Sequence, residues 1–269
     1  MAKRTDDAAL VSTNSTQALA PMPPGLPFGP EEWQIMTAEE RTQAIAFFRE
    51  EQRETTEGLD ITFPRIPYPT SGASFFEVPS PTGEAQAVKT LEGIVVYKQM
   101  KRAYWPLEDA VGKNPPLCSS LDAVVPVESE GRQAITCAAC QYSKFGTGKE
   151  SRGQACKQRL DTFLLLGTDE IPTLLSLPPS ALKAFSAYAV QLRKINSALL
   201  AVTTILGLTE AQSQGGIAYK ALTLKIGRNL TFVEMEKARA IREAFEHQMA
   251  RRGIAVDEAA GHEDADAAE

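Results

Sequence analysis

Apolar residues recur at every second position in some short stretches and at three and four in longer ones, and this alone sorts the chain into elements. From Thr37, "TAEERTQAIAFFREEQRET" sets Ala44, Ile45, Phe47 and Phe48 on one broad face. It opens with a Thr-x-x-Glu capping box, Thr37 with Glu40, and so predicts an amphipathic helix whose other face is acidic. Three short β-branched or aromatic runs follow, "LDITF", "SFFEV" and "LEGIVVYK", separated by Pro, Gly and Ser turns. "DTFLLLG" and "IPTLLSL" read as two buried strands or as a strand and a short helix, which periodicity alone does not separate. "LPPSALKAFSAYAVQLRKI" predicts a helix with Pro179 in its first turn and Leu182, Phe185, Tyr188, Ala189 and Leu192 repeating along it. "SALLAVTTILGL" and "GIAYKALTLKIG" predict two more strands, the second with Ile217, Tyr219 and Ala221 on one side and Lys220 and Leu222 on the other. Thr231 and Glu234 open a last helix that ends near Arg251 and Arg252, with Gly253 as its stop.

These elements divide the chain. Residues 1–30, rich in Ser, Thr, Ala and Pro, read as a disordered arm; 31–58 as the amphipathic helix; 59–230 as a core carrying an insert over 106–158; and 231–253 as the C-terminal helix. Residues 254–269 hold no aromatic residue and no Lys or Arg, so they bury too little to fold alone and read as a disordered acidic tail. Short strands, a helix before the last two and a long insertion give an α+β fold class. They are compatible with an OB-like Greek-key β-barrel that has an inserted four-cysteine zinc subdomain and flanking helices. At 269 residues and 43% hydrophobic content the chain can bury a core without staples. Its longest apolar runs are too short to span a bilayer and its start lacks a signal-like apolar region, so the expectation is a soluble cytoplasmic protein that does not engage membranes.

The net charge of −6 hides a strong asymmetry. Residues 1–92 carry 7 Lys and Arg against 14 Asp and Glu, residues 93–253 carry 21 against 14, and residues 254–269 carry none against 6. A basic middle between acidic ends suits a polyanion-binding surface with a competing tail, and an ordinary solvated surface would give the middle segment equally well.

The candidate chemistry lies in that middle. Cys137 and Cys140 form a C-x2-C pair whose short bite lets two thiolates hold one ion, while Cys118 lies 18 intervening residues before it and Cys156 15 after it. Together they supply four sulfurs for a structural Zn2+, although the second pair of a standard zinc ribbon is here split, and His247 and His262 are remote in sequence. Buried or redox thiols are the alternative; a thioredoxin-like centre needs a helix after the pair, where "QYSKFGTGKESRG" reads as loop. "GTGKES" lacks the spacing of a phosphate loop, because Lys149 is followed by Glu150 and Ser143 stands where the first glycine belongs. Around the cysteines, Lys144, Lys149, Arg152, Lys157 and Arg159 interleave with Tyr142 and Phe145. Just upstream, Tyr97, Lys98, Lys101, Arg102, Tyr104 and Trp105 repeat the mixture. Cations that track phosphates and flat rings that stack on bases are what single-stranded nucleic acid requires, and the same rings could instead be core residues.

"CSS" at 118–120, "CAAC" at 137–140, "ACK" at 155–157 and the acidic tail at 257–269 together give a layout that resembles phage single-stranded DNA-binding proteins. In these an OB-type core carries an embedded zinc subdomain and an acidic C-terminal tail that contacts replication partners. The resemblance covers the plan from about residue 60 onward. It departs from the best-known zinc-containing member in offering cysteine alone as ligand, and it has no basic N-terminal cooperativity motif. It implies a non-enzymatic, largely sequence-independent binder of single-stranded DNA in phage or mobile-element replication or recombination, its tail meeting replication or recombination proteins. The competing expectation is a zinc-stabilised structural or adaptor protein anchored to a protein partner through the Phe47/Phe48 face. No triad, carboxylate dyad or nucleotide loop argues for an enzyme, and a zinc saturated by thiolates has no open position for catalytic water.

Overall fold

The computed structural model describes residues 28–56, 63–69, 73–80, 83–106, 116–127, 134–151, 153–167, 169–212 and 218–251, with single positions 22, 26 and 216. The expected arm before residue 22, most of "LDITF", Arg152, Ile217, Arg252, Gly253 and the acidic tail lie outside the described residues. The chain divides into two compact units, Met1–Ile61 and Thr62–Glu269.

The first unit holds α1 (Pro30–Ile35) and α2 (Ala38–Thr56). Pro30 fits the first turn of α1, where no backbone N–H is needed, and Glu31 and Glu32 suit its positive end. The predicted capping box is formed: the Thr37 N–H donates to Glu40 Oε2 at 2.7 Å and the Glu40 N–H donates to Thr37 Oγ1 at 3.2 Å. Trp33 is buried beneath Arg41, whose guanidinium lies 5.6 Å from the ring centroid and whose Nε donates to the Trp33 carbonyl. On α2, Phe48 meets Phe28 edge-on, whereas Phe47 is 60% exposed.

The second unit is a mixed α+β structure built on one curled sheet. Its strands are β1 (Arg65–Ile66), β4 (Thr90–Tyr104), β5 (Cys118–Ser120), β6 (Cys156–Leu166), β7 (Thr173–Leu177), β8 (Val202–Gln212) and β9 (Ala218–Asn229). A separate hairpin pairs β2 (Phe76–Val78) with β3 (Gln86–Val88). The sheet order is β1-β7-β6-β4-β8-β9, with β5 added to the end of β4, and every pairing is antiparallel except that of β1 with β7. The helix α3 (Pro179–Lys194) connects β7 to β8, and α4 (Phe232–Arg251) follows β9.

β4 is the spine. It extends past the apolar "LEGIVVYK" through the charged "QMKRAY", pairing with β8 near its start, with β6 along most of its length and with β5 at its end. A bulge between Val95 and Tyr97 bends it. At Gly93 a Cβ would stand 2.7 Å from the Leu165 carbonyl oxygen, so only glycine lets β4 and β6 come this close. Past β1, the Tyr68 hydroxyl donates to the Lys220 carbonyl on β9 at 3.2 Å and ties the two outer strands of the sheet together. Among the described residues no backbone ladder joins those strands.

One face of the sheet packs Leu91, Val95, Leu164 and Leu175 against Ala181 and Phe185 of α3. The other face packs Phe163, Leu165 and Leu174 against Ala238 and Phe245 of α4. Phe245 stands with its ring centroid 4.5 Å from that of Phe163 and 4.9 Å from that of Phe63. The apolar stripe of α3 is the predicted one, with Phe185, Tyr188 and Leu192 buried. "IPTLLSL" is strand, and on β9 it is Leu222 that is buried.

Two features here give testable stability effects. The fully buried hydroxyls of Tyr188 on α3 and Thr204 on β8 bond to each other at 2.7 Å. Tyr188→Phe leaves Thr204 without that partner and is expected to lower the unfolding free energy by about 1–3 kcal/mol, read by urea titration. At the start of α4, Glu234 takes a two-pronged bond from Arg228 and caps Thr231, with the Thr231 N–H donating to Glu234 Oε2 at 2.8 Å. First the Arg228 bond and then the Thr231 N–H hold the Glu234 carboxyl down at about 2. As pH falls, the unfolded chain therefore takes up this proton first. The stability this group contributes is complete above its ordinary value of 4.5 and is lost as pH falls from there through about 2. Glu234→Gln is expected to flatten the stability curve in that acid window.

Candidate functional site

The four cysteines are free thiols brought together from three separate segments. Cys118 on β5 and Cys156 on β6 both pair with Tyr104 of β4, so Cys118, Tyr104 and Cys156 form one cross-strand row with all three side chains on one face. Cys137 and Cys140 arrive on the turn before a short 3-10 helix, Gln141–Ser143. That turn is pinned: the Cys137 N–H donates to the Val124 carbonyl at 2.9 Å, and the Ser143 hydroxyl donates to the Cys137 carbonyl at 2.6 Å. Beneath it, Asp122 accepts from the backbone N–H groups of Val124 and Val125 at 2.7 and 2.8 Å, which hold its carboxyl below the ordinary range. Gly146 and Gly153, both at positive φ, close the following loop with a 2.7 Å backbone bond.

All four thiols line one small cavity of about 10 Å³ together with Arg102, Ser120, Thr136 and Ser143. Burial pushes the Cys156 thiol up to about 11, the neighbouring thiols add to this and Arg102 opposes it. Among the described residues no group of three or more His, Cys, Asp or Glu side chains is arranged to hold a metal ion. Cys118 and Cys156 stand on the two strands that flank Tyr104. The donor set nonetheless suits a thiophilic divalent ion, and Arg102 shows an unusual imbalance. Its Nη2 donates to Gln158 Oε1 at 2.6 Å, while its Nε and Nη1 are buried with no acceptor among the described residues.

The expected nucleic-acid residues separate into groups. Tyr97 is half-buried against Phe163 and Phe245, under α4. Tyr104 is 9% exposed and stacked on Tyr142 at 4.1 Å and 13°; burial, and then the bond to the Tyr142 hydroxyl, push its own hydroxyl up to about 12. These rings, which the sequence offered as base platforms, are used within the fold. Trp105 is half-buried. Phe145 is 73% exposed, and Lys98, Lys144 and Lys149 are exposed. Arg102 shares the face of Tyr104 and the thiols, whereas Lys101, Lys157 and Arg159 share the opposite face, with Lys101 directly across from Arg159 and Ala103 across from Lys157.

Sequence reasoning missed Asp161. It is buried on the same face as those cations, pairs with Lys101 Nζ at 2.7 Å and accepts from the Ser176 hydroxyl at 2.7 Å. Only the pairing of β4 with β6 places it there; its position inside the apolar "LDTFLLL" was the one available signal. No helix among the described residues is long and apolar enough to cross a membrane. No protein-family model, curated protein or solved structure matches the chain.

Proposed function

We propose that the chain is a non-enzymatic, largely sequence-independent single-stranded DNA-binding protein. In this reading its sheet is an OB-like Greek-key barrel and a structural Zn2+ on Cys118, Cys137, Cys140 and Cys156 holds the insert. The observation that carries it is the face of β4 and β6 on which Arg159 and Lys157 stand beside Lys101, itself paired with Asp161, next to an insert that exposes Lys144, Phe145 and Lys149. The order β7-β6-β4-β8-β9, with a helix between β7 and β8, suits a five-stranded OB core, and the insert between β4 and β6 then occupies a loop that OB folds use for oligonucleotides. The cations track phosphates and Phe145 offers a ring to a base. Zinc bound by four thiolates would release their protons and staple a segment that has little apolar core of its own.

The test is fluorescence anisotropy with a labelled oligonucleotide at low salt, using the full chain and a version ending at Gly253; absence of binding by both ends the proposal. With about four phosphates neutralised, raising salt from about 50 to about 200 mM is expected to weaken binding about 50-fold. Lys157→Ala with Arg159→Ala is expected to reduce the salt slope by about 1.4. The adaptor reading is favoured only by the exposure of Phe47. It gains if oligonucleotide leaves the tryptophan fluorescence unchanged.

A further inference from the structure

Arg102 was expected on the nucleic-acid face, yet it lines the thiol cavity on the far side of β4. One of its guanidinium nitrogens is anchored by Gln158, its cross-strand partner, which fixes the plane of the group. The other two, Nε and Nη1, are buried with no acceptor among the described residues. A buried guanidinium with two unmade hydrogen bonds is costly unless an anion completes it. Among the described residues no carboxylate lines this cavity; besides Arg102 its lining groups are hydroxyls, apolar atoms and the four cysteines.

Four thiolates around one divalent ion carry a net charge of −2, and their sulfurs accept hydrogen bonds. We propose that Arg102 is the built-in counter-ion of the zinc–thiolate centre, its Nε–H and Nη1–H donating to cysteine sulfurs and Gln158 holding it in place. This rests on the zinc reading above. Arg102 is then a positioning residue for the metal centre and not a phosphate contact. Outer partners of this kind typically tune metal affinity by 10–100-fold.

The experiment uses the full chain as wild type, Arg102→Met, Arg102→Lys and Cys140→Ser. Zn2+ affinity is measured by competition with a chromogenic chelator, and the sulfur-to-metal charge-transfer band is recorded with Co2+ in place of zinc. Arg102→Met is expected to bind Zn2+ about 10–100-fold more weakly than wild type, with the Co2+ band moved to lower energy because the sulfurs lose their donors. Arg102→Lys, which keeps the charge but not the fork, should fall between the two. If Arg102→Met does not fold, the comparison of Arg102→Lys with wild type decides by the same two readouts. Unchanged affinity and an unchanged band in the Arg102 variants, with metal lost in Cys140→Ser, overturns the counter-ion role and leaves the zinc reading standing. A wild-type chain that takes up neither ion overturns both. An Arg102→Met chain that binds zinc as wild type but flattens the salt slope of oligonucleotide binding returns Arg102 to the nucleic-acid face.

Discussion

On the proposed zinc reading, Cys137→Ser is expected to reduce bound zinc from one ion per chain to none in freshly reduced protein, with metal analysis as the measurement. The expected loss is large because a structural zinc site contributes about 10–16 kcal/mol of apparent binding free energy at neutral pH, and that energy requires all four thiolates. The damage should stay local. The apolar clusters that hold the sheet to α3 and α4 contain no described residue between Tyr104 and Cys156. The variant should therefore keep its main cooperative unfolding transition while the segment between β4 and β6 becomes the preferred site of proteolysis, and a chelator should do the same to wild type. A wild-type chain that carries no metal, or one whose insert resists protease equally with and without chelator, would remove zinc from the account.

Asp161→Ala is expected to cost about 3 kcal/mol of unfolding free energy. The carboxylate is 6% exposed and its partner Lys101 21%, so deleting the acid leaves a largely desolvated ammonium without its counter-charge and the Ser176 hydroxyl without its acceptor. Replacing both partners together, Lys101→Met with Asp161→Leu, should recover much of the loss, since an ion pair of this kind contributes little over a well-packed apolar pair. Urea titration of the cycle measures this. The same acid lowers the potential of the cationic face. Asp161→Asn, which keeps a hydrogen bond to Ser176, should bind oligonucleotide roughly threefold more tightly at low salt, the effect of a unit charge about 7 Å from a phosphate in water. Weaker binding by this variant would argue that Lys101, Arg159 and Lys157 are not the phosphate-tracking row.

How much of this could be read from the sequence follows from what each pattern encodes. The helix α3 was legible because its stripe of Leu182, Phe185, Tyr188 and Leu192 needs only local spacing, and the caps at Thr37 and Thr231 because three residues contain the whole motif. The length of β4 was not legible beyond Lys98, since Lys101 and Arg102 face different surroundings and neither looks like a strand residue until β6 is beside them. β5 was invisible for a related reason: "CSS" has no apolar alternation and becomes a strand only by pairing with the end of β4. The last residues assigned to the insert, Cys156 to Gln158, turn out to begin β6. The aromatics divided on burial, which one-dimensional proximity to cations does not encode: Tyr97 and Tyr104 went to the packing, Phe145 to the surface.

On the proposed zinc reading, the row formed by Cys118, Tyr104 and Cys156 sets an expected order of events. Two of the four sulfurs reach the cavity only after a central strand has recruited neighbours from 14 and 52 positions downstream. An ion arriving earlier finds a lone pair of thiols on a turn, so metal capture would come late, as the act that seals an already assembled scaffold.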